Sequence, residues 1–141
     1  MKLVVDANIL IAELLRRRGR ELLRNPQLEL YLAEQTREET EYELRKRVSI
    51  IVSQERLSES AGRAQIETGI DIINTQITLM PISFYAPLEA EARKRIPRDP
   101  NDWEIVALAL ALPGAIWTED YDFLGCGCPT WTTETLMLQL Q

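Results

Sequence analysis

Carboxylate side chains stand at three points of the sequence where the surrounding pattern suggests chemistry. Asp6 follows a short apolar segment, Asp102 opens a second one, and Asp120 and Asp122 follow a third. Carboxylates that lie close together repel one another, and a hard divalent cation with oxygen ligands is the simplest way to neutralise them. The pattern therefore favours a metal-binding site, provided that the fold brings the three segments together.

Each of these acids also has an ordinary structural explanation. Asp6 can cap a helix, Asp99 before Pro100 has the pattern of a helix N-terminus, and Asp120 and Asp122 suit a turn. A cap needs one acid at each helix start, however, whereas here several acids are expected at one rim. A shared site therefore explains the set better than separate caps do.

The chain contains no histidine and only two cysteines, Cys126 and Cys128. The lack of histidine excludes Ser-His and Cys-His nucleophilic mechanisms and an imidazole general base. Two cysteines cannot complete a Cys/His zinc site, and the single residue between them strains a disulfide. They are interpreted as small side chains in a tight turn, with redox or metal sensing as the alternative.

The length of 141 residues, of which 45% are hydrophobic, predicts one domain over residues 1–141. No apolar run approaches the roughly 20 residues of a membrane span, and the N-terminus lacks a signal-peptide cleavage pattern, so a cytoplasmic protein is expected. The net charge of −6 disfavours nucleic-acid binding as a whole. Basic residues nevertheless cluster, and each cluster is either a solvated helix face or a phosphate contact: Arg16, Arg17, Arg18, Arg20 and Arg24; Arg45, Lys46 and Arg47; Arg93, Lys94, Arg95 and Arg98.

The hydrophobic pattern predicts strands that alternate with helices. Strands are predicted at 2–5, 28–32, 77–80, 115–118 and 130–132, and helices at 8–24, 36–53, 57–76, 84–95, 101–112 and 133–140. Such alternation predicts an α/β fold with a mostly parallel sheet that helices cover on both faces. The helix at 57–76 is expected to bury a stripe of Ile66, Ile70 and Ile73, continued by Ile77.

The predicted elements place the acids at one edge of the sheet. Asp6 and Asp120 follow strands, and parallel strands of an α/β sheet bind ligands beyond their carboxyl ends. The helix that Asp102 opens runs back before the fourth strand, so it begins near the same edge. The sequence therefore predicts that these carboxylates converge.

Three segments resemble the ordered motifs of PIN-domain nucleases. They are VVDANIL from Val4 to Leu10, DPNDWEIVALA from Asp99 to Ala109, and WTEDYDFL from Trp117 to Leu124. Each motif is short, but together they span nearly the whole chain in a matching order, spacing and secondary structure. The resemblance implies an α/β/α sandwich, here with about five strands, and cleavage of single-stranded RNA with Mg²⁺ or Mn²⁺.

The resemblance also implies roles for individual residues. Asp6, Asp102 and Asp120 match the family's catalytic and metal-binding acids, and Asp122 is expected to join them at the metal. Asn8 and Thr118 match polar positions that orient the acids, and Asp99 is expected to support them. In the mechanism expected of this set, the metal lowers the pKa of a bound water, and the resulting hydroxide attacks the phosphorus.

A fourth catalytic acid is expected in the helix after the second strand. The stretch from Thr36 to Thr40 resembles the family's Thr-x-x-Glu-apolar pattern and indicates Glu39, although Thr40 stands where an apolar residue is usual. Glu43 is the alternative, because Leu44 and Val48 place it closer to the apolar side of that helix.

Many members of the family are toxins of toxin–antitoxin pairs, and many dimerise. The resemblance therefore implies an antitoxin protein and a second copy of this chain as partners, besides single-stranded RNA. The alternative function is a non-catalytic module that binds RNA or protein, although such a module would be expected to lose some of the acids. A phosphohydrolase of the Asp-x-Asp type is disfavoured, because Asn8 occupies the second acidic position.

Overall fold

Five short strands form one sheet in which every pairing is parallel. The computed structural model describes residues 1–141, and the strand order is β3-β2-β1-β4-β5. The central strand β1 pairs on one side with β2 and on the other with β4. The strands are β1 (Lys2–Val5), β2 (Glu29–Ala33), β3 (Ile77–Met80), β4 (Ala115–Trp117) and β5 (Thr130–Trp131).

Eight α-helices surround the sheet. None of them combines the length and the apolar character that crossing a membrane requires. Single 3₁₀ turns precede α3 and α7, separate α5 from α6, and follow β4. The helices are α1 (Ala7–Leu14), α2 (Arg17–Leu23), α3 (Arg37–Ser53), α4 (Glu59–Gln76), α5 (Ile82–Tyr85), α6 (Glu89–Arg95), α7 (Trp103–Ala111) and α8 (Thr133–Gln139).

The sheet separates two hydrophobic cores. Leu3 and Val5 of β1 pack with residues of α1 to α4 and α8, whereas Val4 packs with residues of α5 to α7 on the other face. Successive side chains of a strand point to opposite faces, so an uninterrupted apolar strand fills both cores at once. The predicted α/β/α sandwich with a parallel sheet of five strands is confirmed.

The predicted helix over 8–24 is two helices. The chain leaves the helical conformation at Arg16, whose φ is −116° and ψ is 137°. The Arg20 guanidinium donates a hydrogen bond to the Leu14 carbonyl at 3.1 Å, which satisfies one of the acceptors left free at the end of α1. Gly19 lies against the Glu13 backbone, where a Cβ atom would overlap the Glu13 carbonyl oxygen. Tertiary contacts therefore override the helical spacing of the leucines.

The predicted helix over 84–95 is also interrupted. Pro87 lies in a 3₁₀ turn, Ala86–Leu88, between α5 and α6. Proline has no N–H to donate, and its ring clashes with the preceding helical turn. The remaining predicted elements differ from the observed ones by at most two residues at an end, as is usual for helix and strand boundaries.

The buried stripe of α4 differs from the predicted one. Ile72 and Ile73 are fully buried, whereas Ile66 and Ile70 are half-buried. Gly69 lies on the buried face, and a Cβ atom there would be 2.9 Å from the Leu44 side chain. The glycine lets α4 approach α3 closely, which turns the helix so that Ile72 enters the core.

The turn that holds the two cysteines has the conformation of a structural loop. Both thiols are free; Cys126 is buried and Cys128 is half-buried. Gly125 and Gly127 have φ of +83° and +91°, which glycine adopts without steric cost. Burial raises the pKa of the Cys128 thiol to about 11, so this thiol stays protonated and unreactive at neutral pH.

Candidate active site

Asp6 lies where the central strand gives way to α1. Its Oδ1 accepts a hydrogen bond from the Asn8 backbone N–H at 3.1 Å and caps α1, while its Oδ2 accepts one from the Thr118 hydroxyl at 2.8 Å. The side chain is 8% exposed. Burial raises the pKa of Asp6, the two hydrogen bonds lower it, and the nearby Asp120 raises it again. The helix-cap explanation is thus correct for one oxygen, but the second joins Asp6 to β4.

Thr118 and Asp120 form the β4 side of the site. The Thr118 hydroxyl also accepts a hydrogen bond from the Asp120 backbone N–H at 3.0 Å. Asp120 Oδ1 in turn accepts from the Asp122 N–H at 2.9 Å, which leaves Asp120 Oδ2 without a partner in the chain. One hydroxyl therefore bonds to both Asp6 and the Asp120 backbone and fixes their relative positions.

Asp122 forms an ion pair outside this group. Its Oδ1 lies 3.6 Å from Nε of Arg98, whose side chain is 80% exposed. An ion pair at this distance between partly exposed groups contributes little to stability, about 0–1 kcal/mol. Asp122 is therefore close to the other acids in the sequence, but in the structure it pairs with a cation beside them.

Asp102 comes to the same place from α7. It is the residue before the first turn of that helix, and Trp103 anchors the start of the helix between the Tyr85 ring at 5.8 Å and the Arg93 guanidinium at 5.6 Å. Burial, and after it the neighbouring Asp99, Asp6 and Asp120 in that order of effect, together raise the pKa of Asp102 to about 6. The three carboxylates that the sequence predicted to converge therefore do lie within electrostatic reach of one another.

The raised pKa of Asp102 predicts how stability depends on pH in the absence of divalent cations. The ordinary pKa is 3.8 and the folded value is about 6. The folded protein binds the carboxyl proton of Asp102 more tightly than the unfolded chain does. The protonated carboxyl therefore stabilises the fold fully below the ordinary pKa, and this stabilisation is lost as pH rises through the folded pKa. In EDTA, we expect Asp102→Asn to have a higher Tm than the wild type above about pH 6. Thermal melts at several pH values test this, and a Tm difference that does not change with pH would contradict it.

A pocket of about 190 Å³ opens beside these residues at the carboxyl end of the sheet. It lies between α1, α3 and the start of α7, and no lysine or arginine lines it. Water-filled pockets that gather several carboxylates attract cations, because like charges raise one another's energy. Its acidic lining residues are Asp6, Glu39, Glu43, Asp102 and Glu104.

Both candidate glutamates of α3 reach this pocket. Glu39 is exposed and Glu43 is half-buried, and neither forms an ion pair, because Arg37 and Arg45 both bind Glu41 at 2.9 Å. Thr40, where an apolar residue is usual, is fully buried and donates its hydroxyl to the Thr36 carbonyl at 2.7 Å. A threonine whose hydroxyl bonds to the carbonyl four residues earlier can occupy a buried position at only a small cost to the helix, so Thr40 does not argue against Glu39.

Glu104 is the acidic residue of this pocket that the sequence analysis did not single out. It is half-buried, and burial raises its pKa, as does the nearby Glu89. The sequence could have indicated Glu104, because it lies two residues after Asp102 and is the acidic residue in the first turn of an otherwise apolar helix. Asn8 also lines the pocket, whereas Asp99 does not and instead lies beside Asp102.

The donor chemistry of the site fits a hard divalent cation. Mg²⁺ and Mn²⁺ prefer carboxylate oxygens, and the site offers no sulfur or imidazole ligand. The side chains are not closed around a single point: no group of three or more acidic residues has the arrangement that would hold an ion. The residues therefore fit such a cation in type and charge, and they would have to close around it by side-chain rotation.

Each of the three basic clusters contains at least one ion pair within its own helix. Four arginines bind a glutamate four residues away: Arg17 with Glu21, Arg45 with Glu41, Arg93 with Glu89, and Arg95 with Glu91. This supports the interpretation of these clusters as solvated helix faces. Arg98 differs, because its partner Asp122 belongs to the turn that follows β4 beside the acidic group.

Comparison with known proteins agrees with this arrangement. A family model of the PIN domain matches residues 4–141. Among solved structures, the crystal structure of VapBC2 from Rickettsia felis, bound to a DNA fragment from their promoter, is similar over 94% of this chain and 98% of that chain. The TM-score is 0.59 and the sequence identity 15%, a likeness that concerns the fold alone. A comparison with curated proteins gives no match.

Proposed function

The chain belongs to the PIN-domain family, and we propose that it is a divalent-metal-dependent endoribonuclease that cleaves single-stranded RNA. The observation that carries the proposal is the convergence of Asp6, Asp102 and Asp120 at the carboxyl end of β1 and β4, where Asp120 raises the pKa of Asp6, and Asp6 and Asp120 raise the pKa of Asp102. A site of this kind is unfavourable unless a cation is present, because buried like charges destabilise the fold.

Asp6, Asp102 and Asp120 are proposed to hold the metal, and Asp122 would join them only by leaving Arg98. A bound divalent ion supplies neutralisation of the phosphate charge and a water of lowered pKa. Glu39, with Glu43 as the alternative, is proposed as the fourth acid, because both line the pocket without an ion pair. An unpaired carboxylate there accepts a proton from the attacking water, while Asn8 and Asp99 keep Asp6 and Asp102 in place.

The chain's own residues must also hold the substrate against an acidic pocket. Arg98 is proposed to contact a phosphate, because it is 80% exposed and its only acidic partner, Asp122, lies beside the site. Binding that depends on cationic side chains releases counterions, so RNA affinity should fall as salt rises. Affinity that does not change with salt would contradict a role for Arg98 and the other cations.

Purified protein is expected to cleave mixed-sequence single-stranded RNA in Mg²⁺ or Mn²⁺ and not in EDTA. Gel analysis of an end-labelled RNA measures this, with circular dichroism to show that the protein is folded. The open arrangement of the acids keeps a second candidate, a non-catalytic RNA- or protein-binding module. Folded protein that binds RNA but does not cut it in the presence of any divalent metal would support that module instead.

We further propose that the nuclease is the toxin of a toxin–antitoxin pair and acts in the cytoplasm as a homodimer. The similar solved structure is that of VapBC2 bound to promoter DNA, and the family resemblance includes such toxins. Expression of the wild-type protein should then stop the growth of a host cell, whereas expression of the Asp6→Asn variant should not. Equal growth of the two cultures, at equal protein levels, would contradict the toxin role.

A further inference from the structure

A second, smaller crevice is lined by Asp120, which does not line the first pocket. Its volume is about 120 Å³, and it opens between the ends of β4 and β5 and the turn after β4. We propose that this crevice binds an unpaired nucleobase of the RNA, next to the phosphate that is cleaved. The inference rests on the proposed function, which it extends from the cleaved bond to the neighbouring base.

The rim of the crevice is an uncovered apolar surface. Tyr121 is 77% exposed and Leu124 is 61% exposed, and both line the crevice together with the half-buried Trp131. Exposed aromatic side chains beside a nucleic-acid channel are the usual stacking platforms for unpaired bases, since every base has a flat π-face. The Tyr121 ring does not pair with any other aromatic ring of the protein.

The charges of the crevice select a base rather than a phosphate. Glu119 and Asp120 line it, and no lysine or arginine does. Glu119 already accepts a hydrogen bond from the Thr133 N–H at 3.1 Å, so its carboxylate is fixed in the wall. A phosphate would be repelled by these two carboxylates, whereas a neutral base offers amino groups that carboxylates accept from.

The crevice is joined rigidly to the acidic site. Tyr121 follows Asp120 in the same 3₁₀ turn, which is held by the hydrogen bond from the Asp122 N–H to Asp120. Asp120 is held in turn by Thr118, whose hydroxyl binds Asp6. A base stacked on Tyr121 therefore has a fixed position relative to the carboxylates, which is what positioning a scissile phosphate requires.

Tyr121→Ala should lower kcat/KM for single-stranded RNA by about tenfold, mainly through KM, because stacking on one aromatic side chain is lost. Tyr121→Phe keeps the ring and should retain near wild-type kcat/KM. Phe84→Ala is the matched control, since Phe84 is an exposed aromatic residue at the opposite edge of the sheet. Thermal melts of all variants check that the fold is intact, and Leu124→Ala gives a second, independent change to the rim.

RNA with a single abasic nucleotide, moved along the strand, identifies the base. For the wild type, one abasic position near the cleaved bond should weaken binding as much as Tyr121→Ala does. In the Tyr121→Ala variant, an abasic nucleotide at the same position should weaken binding no further, because both changes remove the same contact. Wild-type cleavage together with unchanged kinetics in Tyr121→Ala would overturn this inference and leave the proposed function standing.

Two other outcomes also overturn the base-binding site. RNA that the wild type neither binds nor cuts would overturn the proposed function and the inference together. The second outcome is that the losses in RNA-binding free energy from Tyr121→Ala and from an abasic nucleotide add at every position. Such additivity would show that the ring does not contact a base. If the variant then lost binding to a partner protein, the rim would be a protein-docking surface.

Discussion

Asp6→Asn is expected to lower the rate of metal-dependent RNA cleavage by at least about two orders of magnitude, because a neutral amide is a poor ligand for a hard cation. Asparagine has nearly the size of aspartate, and its single carbonyl oxygen can keep the hydrogen bond from the Thr118 hydroxyl, which is 2.8 Å long in the wild type, at the expense of the weaker cap bond from the Asn8 N–H at 3.1 Å. The loss should therefore come from the missing charge and not from unfolding. Single-turnover cleavage of an end-labelled RNA, with saturating protein, measures the rate.

Asp71→Asn is the matched control for this variant. Asp71 is an exposed residue of α4 that lines none of the described pockets, and the substitution makes the same chemical change. Its cleavage rate should equal that of the wild type. Near wild-type cleavage by Asp6→Asn would remove Asp6 from the proposed ligands, and equal losses in both variants would point to a general effect of net charge.

Trp117→Ala should lower the free energy of unfolding by about 3–5 kcal/mol, the range for truncation of a large buried aromatic side chain. Trp117 is fully buried at the end of β4, and its indole N–H donates to the Thr133 hydroxyl at 3.1 Å. Thr133 in turn donates to the buried carboxylate of Glu13 at 3.3 Å. The substitution thus leaves a cavity and also breaks the polar chain that ties α8 to α1 through β4.

Equilibrium unfolding in urea measures the loss, with the slope of the transition compared between variants. Trp117→Phe removes the N–H but only part of the ring volume, so its loss should be smaller than that of Trp117→Ala, with about 0.5–1.5 kcal/mol of it from the hydrogen bond. Trp131→Ala is the control for a half-buried tryptophan on the neighbouring strand. A loss of less than about 1 kcal/mol in Trp117→Ala would show that the core refills the space.

The acidic group could be predicted because its placement depends only on topology. Asp6 and Asp120 end neighbouring parallel strands, and the carboxyl ends of parallel strands meet at one edge whatever the side-chain detail. Asp102 begins the helix that leads back to β4, so it reaches the same edge. The alternation of strands and helices is sufficient for such a prediction, and the raised pKa values of Asp6 and Asp102 agree with it.

Other features depend on contacts that the sequence pattern does not contain. The break between α1 and α2 comes from the packing of Gly19 on Glu13 and from the bond between Arg20 and Leu14. Helical spacing continues through this break, so periodicity alone predicts one helix. The pairing of Asp122 with Arg98 depends likewise on where the segment between α6 and α7 places the Arg98 side chain. The choice between Glu39 and Glu43 depends on side-chain reach across the pocket, which helix phase does not determine.

The hydrogen bond between Asp6 and Thr118 joins residues 112 positions apart. The central strand β1 is made first, but its partner β4 and the two acids Asp102 and Asp120 belong to the last third of the chain. Contacts of such long range form late in folding, because a long loop must close before they can stabilise the structure. During synthesis, the acidic group therefore stays incomplete until the segment that carries Asp102 and Asp120 has been made and β4 has paired with β1.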